Sequence, residues 1–138
     1  MIDNLSIIKS TYEGKDSEEN GKALQSHVAD DIVWIEAQGF PYAGTYIGFE
    51  AVVQNVFARL GSEWTDYRFT PEHYVADGDT VVAYGHYSGT YKQTQRAFTA
   101  RVAHIWQLKD GKIVRFEQIV DSQPVVEAMM GRETVVGQ

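Results

Sequence analysis

The sequence predicts an α+β domain in which a curved antiparallel sheet packs against about three helices. Helical patterns and a single short strand occupy the first 61 residues. From Trp64 onwards, runs of alternating apolar and polar residues follow one another, separated by short Gly- and Asp-containing turns, which predicts antiparallel strands. This separation of helices from strands is typical of an α+β fold. A curved sheet closed off by helices forms a cone, and its interior is a natural ligand pocket.

The composition limits the classes of partner. The 138 residues are 43% apolar, carry a net charge of −7 and include no cysteine. A length of this order predicts one domain over residues 1–138. The acidic charge argues against nucleic acid or an anionic membrane as a partner, and the lack of cysteine excludes disulfides and thiolate metal sites. No basic and apolar leader and no apolar run of ~18–20 residues is present, so a cytoplasmic protein is expected.

The helices are predicted from apolar spacing and end signals. A first helix over residues 3–13 begins with Asp3 as its cap and ends at Gly14. A second begins near Ser17, carries Leu24 and Val28 inward, and stops at Asp30-Asp31. The third and clearest runs from Phe49 to Gly61, with the apolar residues Val52, Val53, Val56, Phe57 and Leu60 recurring at helical spacing.

The strands are predicted from period-two alternation. A first strand over residues 32–37 places Ile32, Trp34 and Glu36 on one side. A glycine-rich loop follows it before the third helix. The later strands run over about 64–75 and 80–91, and then form a long pair within 96–121, with a helical turn or two predicted from Pro124 and a frayed end over 134–138. Pro71 predicts an edge strand or a bulge, because proline cannot donate to a ladder.

His104 is the most informative polar residue. It lies between Val102 and Trp106 on the apolar side of a strand, where burial disfavours a charged imidazole. It is either a ligand-contacting group or a core histidine with satisfied hydrogen bonds.

The register of the last hairpin has two solutions. A three-residue turn at Lys109-Asp110-Gly111 puts Val114, Phe116 and Val120 on the face of His104 and turns Asp121 away. A two-residue Asp110-Gly111 turn puts Glu117, Ile119 and Asp121 on that face instead. Apolar patterning favours the first register.

Three stretches of the chain carry a family resemblance, namely ADDIVWIE after two helices, PYAGTYIGFEAV leading into the third helix, and DGKIVRFEQIVD near the end. Together they resemble the nuclear transport factor 2-like superfamily, in particular ketosteroid isomerases and SnoaL-like polyketide cyclases. The resemblance covers nearly the whole chain and implies the cone-shaped fold. It implies function less specifically, because this scaffold hosts isomerases, cyclases, dehydratases, epoxide hydrolases and non-enzymes.

The resemblance also implies site residues. Tyr12 matches the tyrosine that ketosteroid isomerases place on the first helix, and Glu36 stands where they have the carboxylate base. His104 replaces their protonated acid. SnoaL-like cyclases instead pair a histidine with an aspartate on the following strand, which His104 and Asp121 match. For each residue a purely structural role, such as surface exposure, packing or capping, is the alternative.

The residues and the resemblance together predict a small isomerase or cyclase that acts without a cofactor or metal. Glu36 would take a proton from an apolar carbonyl compound, Tyr12 and His104 would stabilise the enolate, and Asp121 would be the alternative partner of His104. Aromatic residues would line the substrate pocket, namely Trp34, Phe57, Trp106 and Phe116. The alternatives are a non-catalytic binding or dimerisation domain, a domain with a vestigial pocket, a dehydratase, and an epoxide hydrolase, which Arg101 with an acid would suggest. A homodimer formed through the sheet is expected.

Overall fold

The computed structural model describes residues 3–131, which form six strands and four helices. The predicted α+β architecture with a curved sheet is confirmed. No helix in the described range is long and apolar enough to cross a membrane. The predicted frayed end over residues 134–138 lies outside the described residues. The elements in chain order are α1 (Asn4–Ser10), α2 (Ser17–His27), β1 (Val28–Glu36), β2 (Gly44–Ile47), α3 (the consecutive segments Phe49–Val52, Val53–Phe57 and Ala58–Glu63), β3 (Trp64–Asp77), β4 (Thr80–Tyr91), β5 (Arg96–Lys109), β6 (Lys112–Val120) and α4 (Gln123–Met129).

The sheet is mixed, whereas the sequence predicted a wholly antiparallel one. Its strands follow the order β2-β1-β6-β5-β4-β3, and every neighbouring pair is antiparallel except β1 with β6. The last strand of the meander lies beside the first strand of the chain, with Trp34 opposite Phe116. Strand β2 was predicted as part of a loop, because its four mostly exposed residues carry too little alternation to be recognised. The parallel pair joins the two halves of the chain and closes the sheet around the core.

The helix ends differ from the predicted ones in physically simple ways. Asp3 caps α1 as expected, and Asp16 caps α2 by accepting a hydrogen bond of 2.9 Å from the Glu19 backbone N–H. Helix α2 ends at His27, so Val28 is not a helix residue as predicted; it begins β1 and pairs with Ile113. Helix α3 continues past Gly61 to Glu63, and its middle segment is π-helical. Such π-helical turns occur frequently at functional sites.

A bulge in β6 resolves the two predicted hairpin registers. The turn has two residues, Asp110 and Gly111, both with positive φ, and Lys109 lies opposite Lys112. The register then shifts between Gln107 and Leu108, so that Val114 has no partner on β5. This extra residue restores the residue faces that the apolar pattern favoured for the remainder of β6, with Phe116, Gln118 and Val120 on the face of His104.

The predicted role of Pro71 is confirmed in both respects. Strand β3 is an edge of the sheet, and its register against β4 shifts between Pro71 and His73. Gly85 of β4 lies directly beneath this irregularity, and a Cβ atom added there would overlap the Thr70 carbonyl oxygen. The close approach of the two backbones therefore requires a glycine at this point.

Candidate active site

A cavity of about 870 Å³ lies between the sheet and the helices. It falls within the size range of small-molecule sites, which is about 300–1,000 Å³. Of the predicted catalytic residues, Tyr12, Glu36 and His104 line it. The four aromatic residues predicted to contact substrate also line it, namely Trp34, Phe57, Trp106 and Phe116. The structure thus brings together all but one of the predicted site residues.

Aromatic rings form one wall of the cavity. The Trp34 ring lies 3.9 Å from that of Phe116 between centroids, and it meets the Phe57 ring edge-on at 5.5 Å. Trp106 completes the group at 5.7 Å from Trp34. Phe57 belongs to the π-helical segment of α3, which directs both Phe57 and Val56 into the cavity. This wall favours flat apolar ligands, because stacked and edge-on ring contacts are favourable.

Glu36 is the last residue of β1 and points into the cavity, as the alternation with Ile32 and Trp34 predicted. The side chain is 5% exposed. Burial raises the pKa of its carboxyl from 4.5 to about 8, because the charged form loses its hydration. The nearby Trp34 indole N–H opposes this shift. Glu36 is therefore mostly protonated at neutral pH but able to ionise slightly above it.

Two buried polar atoms on the same cavity have no hydrogen-bond partner within residues 3–131. They are the Trp34 indole nitrogen and the Tyr67 hydroxyl. The indole N–H lies close enough to favour an ionised Glu36 without forming a hydrogen bond of normal geometry. The charge of Glu36 also raises the pKa of Tyr67, after desolvation, so the two groups sense one another. Unpartnered buried polar groups are uncommon, and each of these two carries a hydrogen that is free to donate.

His104 is buried and hydrogen-bonded through both ring nitrogens. Its Nδ1 lies 2.6 Å from the Tyr12 hydroxyl, and its Nε2 lies 2.6 Å from the Tyr87 hydroxyl. Burial lowers the pKa of the imidazole from 6.5 to about 3. His104 is therefore neutral at physiological pH. Because both nitrogens are hydrogen-bonded to tyrosines, neither is free for a direct hydrogen bond to another molecule.

Each tyrosine hydroxyl receives a further hydrogen bond. The Trp106 indole N–H donates to Tyr12 at 2.8 Å, and the Gln118 amide donates to Tyr87 at 2.8 Å. The Ala37 backbone N–H donates to Gln118 Oε1 at 3.0 Å and so orients that amide. Gln118 lies directly opposite His104, in the register set by the bulge. The result is a continuous chain of hydrogen bonds along the cavity floor, from Trp106 to the end of β1.

The structure does not bring Asp121 to His104. Asp121 follows β6, is exposed, and donates its backbone N–H to the Arg101 carbonyl oxygen at 2.9 Å. The shifted register turns its side chain away from the cavity. The Arg101 guanidinium lies on the outer face and donates to Glu72 at 2.6 Å. Neither residue lines the cavity, so the acid–base pair with Asp121 and the Arg101 group expected of an epoxide hydrolase are not assembled there.

Three functional candidates were missed by sequence reasoning. Tyr87 was given no functional role, and Tyr67 and Gln118 were not singled out. The pattern carried a partial signal for Tyr87, which shares its sheet face with Ala83 and Gly85. Gln118 alternates with Phe116 and Val120, so the register that apolar patterning favoured already placed it on the face of His104. No cluster of three or more potential metal ligands occurs within residues 3–131.

Comparison with known proteins identifies the fold family. The family model described as a SnoaL-like domain matches residues 12–116. An NTF2-like protein from Burkholderia thailandensis E264 is 43% identical and superposes with a TM-score of 0.88, over 94% of this chain and 98% of that one. A candidate SnoaL-like polyketide cyclase from Mesorhizobium loti is 24% identical, with a TM-score of 0.71 over 86% and 99% of the two chains.

A third solved structure is more distant in sequence. It is a protein with a ketosteroid isomerase-like fold from Catenulispora acidiphila DSM 44928, solved in complex with trimethylamine. It is 18% identical, with a TM-score of 0.72 over 88% of this chain and 90% of that one. No curated protein matches the chain. The two likenesses below 25% identity bear on the fold alone.

Proposed function

Because this chain belongs to the family of SnoaL-like domains, we propose that it is a cofactor-independent isomerase or cyclase that acts on an apolar carbonyl compound. The observation that carries the proposal is a buried carboxyl whose pKa burial raises to about 8, on the same cavity as a pair of hydrogen-bonded tyrosine hydroxyls. A general base works best when its pKa lies near the working pH. Glu36 meets this condition without a charged partner.

The proposed reaction begins with proton abstraction beside the carbonyl. Ionised Glu36 takes a proton from the α-carbon, and the C–H electron pair becomes the carbon–carbon double bond of an enolate. A phenol proton from Tyr12 or Tyr87 hydrogen-bonds to the enolate oxygen, where negative charge accumulates. Protonated Glu36 then returns the proton to another carbon, which completes an isomerisation. In a cyclisation the enolate carbon would instead attack a second carbonyl of the same ligand.

The apolar surroundings support this assignment. His104 is neutral and the aromatic wall carries no charge, so the groups that would stabilise the enolate oxygen beside them are the uncharged tyrosine donors. Such donors are worth more in a dry cavity than in water, because the local dielectric is low. Glu36 with a pKa of about 8 is roughly one-tenth ionised at pH 7, which leaves a usable fraction of active base.

The test uses a carbonyl compound that needs no knowledge of the natural substrate. 1-Tetralone is a flat, apolar ketone with one enolisable position, and the exchange of its α-hydrogens in D₂O reports enolate formation by NMR. The wild-type protein is expected to accelerate exchange above the buffer rate, and Glu36→Gln to reduce that acceleration by ~10²–10⁴-fold, as for loss of a general base. The matched control is Glu50→Gln, on the exposed surface of α3, which should exchange at the wild-type rate.

The outcomes separate the proposed enzyme from a binding domain. Binding of 1-tetralone in the cavity, seen as NMR shifts of the Trp34 or Trp106 indole signals, without accelerated exchange would favour a non-catalytic pocket. Equal acceleration by wild type and Glu36→Gln would remove Glu36 from the mechanism.

A further inference from the structure

The hydrogen bonds of His104 limit where the tyrosine protons can be. A neutral imidazole has one N–H, which donates, and one bare nitrogen, which accepts. Its two nitrogens contact the hydroxyls of Tyr12 and Tyr87, each at 2.6 Å. One tyrosine must therefore donate to the ring while the other accepts from it. The tyrosine that accepts keeps its own phenol proton for another partner.

The other neighbours of the two hydroxyls cannot take that proton. An indole nitrogen is only a donor, so Trp106 gives its N–H to Tyr12 and accepts nothing. The Gln118 amide is oriented by the Ala37 N–H on its oxygen, so its nitrogen faces Tyr87 and also donates. Neither hydroxyl makes another hydrogen bond within residues 3–131. Because both tyrosines line the cavity, the spare proton is available to a molecule bound there.

We propose that Tyr87 is a second catalytic hydroxyl, interchangeable with Tyr12, and that neutral His104 joins the two as a proton relay. In one state Tyr12 donates to Nδ1, Nε2–H donates to Tyr87, and the Tyr87 proton is free. In the other state the directions are reversed, and the Tyr12 proton is free. The inference rests on the proposed function, which it extends by naming the group that holds the oxyanion.

The conversion between the two states leaves the number of protons on the three side chains unchanged. The free Tyr87 proton leaves to an acceptor in the cavity, Nε2 passes its proton to the Tyr87 oxygen, and Tyr12 passes its proton to Nδ1. The Tyr12 oxygen then receives a proton from a donor in the cavity. No charge is left on the protein, and negative charge that develops at either oxygen faces an N–H donor from Trp106 or Gln118.

The relay also indicates the chemical class of ligand that the cavity would bind. The cavity offers a single phenol proton at either of two positions, and it accepts a proton at the position that is not donating. An enolisable apolar carbonyl compound fits, because its oxygen accepts the phenol proton in the keto form and carries an O–H in the enol form. Such a ligand could bind in two orientations with equal hydrogen bonding.

The first test is a tautomer measurement that needs no ligand. In protein labelled with ¹⁵N-histidine, the His104 signals are identified by their loss in His104→Gln, and protonated and bare ring nitrogens are well separated in shift. Tyr12→Phe should hold the proton on Nε2, where Tyr87 still accepts it, and Tyr87→Phe should hold it on Nδ1. The wild-type shifts should lie between those of the two variants. Shifts that coincide with one variant, or two protonated nitrogens, would overturn the relay.

The second test is kinetic. If either hydroxyl can serve, Tyr12→Phe and Tyr87→Phe should each slow 1-tetralone exchange by no more than ~3-fold, whereas the double variant should lose ~10²–10³-fold, as for removal of an oxyanion donor. Single losses that multiply to the double loss would refute interchangeability. The control is Tyr84→Phe, on the same strand but the outer face, which should exchange at the wild-type rate.

The two tests fail separately. If the proposed reaction is wrong, exchange is absent in every variant while the histidine shifts still report two tautomers. If only the relay is wrong, the wild type catalyses exchange, but its shifts match a single tautomer. The histidine spectra of folded single variants give a result even where the double variant does not fold.

Discussion

Replacing Glu36 by glutamine should make the protein more stable at alkaline pH while it abolishes the proposed catalysis. Burial raises the pKa of this carboxyl from 4.5 to about 8. The folded protein therefore holds the proton more tightly than the unfolded chain, and stability falls as the pH rises through that window. Since one pKa unit corresponds to about 1.4 kcal/mol, the full effect above pH 8 is on the order of 5 kcal/mol. Glutamine has nearly the same shape and no charge, so it removes this cost.

The pKa shift of His104 has the opposite effect on how stability depends on pH. This effect must be separated from that of Glu36. Burial lowers the pKa of His104 from 6.5 to about 3, so the unfolded chain binds the proton more tightly and stability rises with pH over that window. Between pH 4.5 and 6.5 the two effects offset one another in the wild type. Above pH 6.5 the effect of His104 is complete, and the shift of Glu36 should lower the free energy of unfolding by ~1.4 kcal/mol per pH unit up to about 8.

The assay is urea denaturation at half-unit pH steps from 4 to 9. Subtracting the wild-type free energy of unfolding from that of Glu36→Gln cancels His104 and every other group that the two proteins share. The difference should increase by several kcal/mol across the series, with most of the change between pH 4.5 and 8. Glu50→Gln removes a carboxylate at an exposed position and is the matched control. A constant difference for Glu36→Gln would refute the claim that burial holds the proton on this carboxyl.

Three further predictions follow from other features. The rate of 1-tetralone exchange should rise with pH and level off above about 8, because the base acts when ionised; a rate independent of pH between 6 and 9 would contradict the role of Glu36. Gly85→Ala should lower the melting temperature sharply, at a cost of ~3 kcal/mol or more, because the new Cβ overlaps the Thr70 carbonyl; Gly21→Ala, in open space, is the control. We also propose that the outer sheet face, where Val75 and Ile119 are 56% and 53% exposed, pairs with a second copy of the chain. Ile119→Lys should then shift the mass measured by light scattering from dimer to monomer, and a wild-type monomer would exclude this interface.

Local chemistry predicted most of the secondary structure. Asp3 caps α1 because its carboxylate accepts from the Ser6 N–H at 2.7 Å, and the spacing of apolar residues placed the third helix. Alternation in the first strand placed Glu36 on the buried side. Pro71 marked an edge and an irregularity, because its backbone cannot donate. These features depend on residues close together in sequence, so the pattern alone carries them.

Pairing between distant segments of the chain produced the differences between the predicted and the observed secondary structure. Val28 belongs to β1 because Ile113 is opposite it, although its spacing also suited helix α2. Strand β2 exists because β1 offers it an edge. The bulge at Val114 combines the two-residue turn of one predicted register with the residue faces of the other, which no short-range rule anticipates.

The sequence by itself determined the α+β architecture, the family resemblance and the inward directions of Glu36 and His104, because each depends on a period of two or on local end signals. Only the tertiary structure decided how His104 is used. Its two nitrogens meet Tyr12 and Tyr87, residues 92 and 17 positions away along the chain, and a bulge brings Gln118 to the same face. Protonation and hydrogen bonding in a buried site depend on which groups share it, and that is set by packing between distant segments.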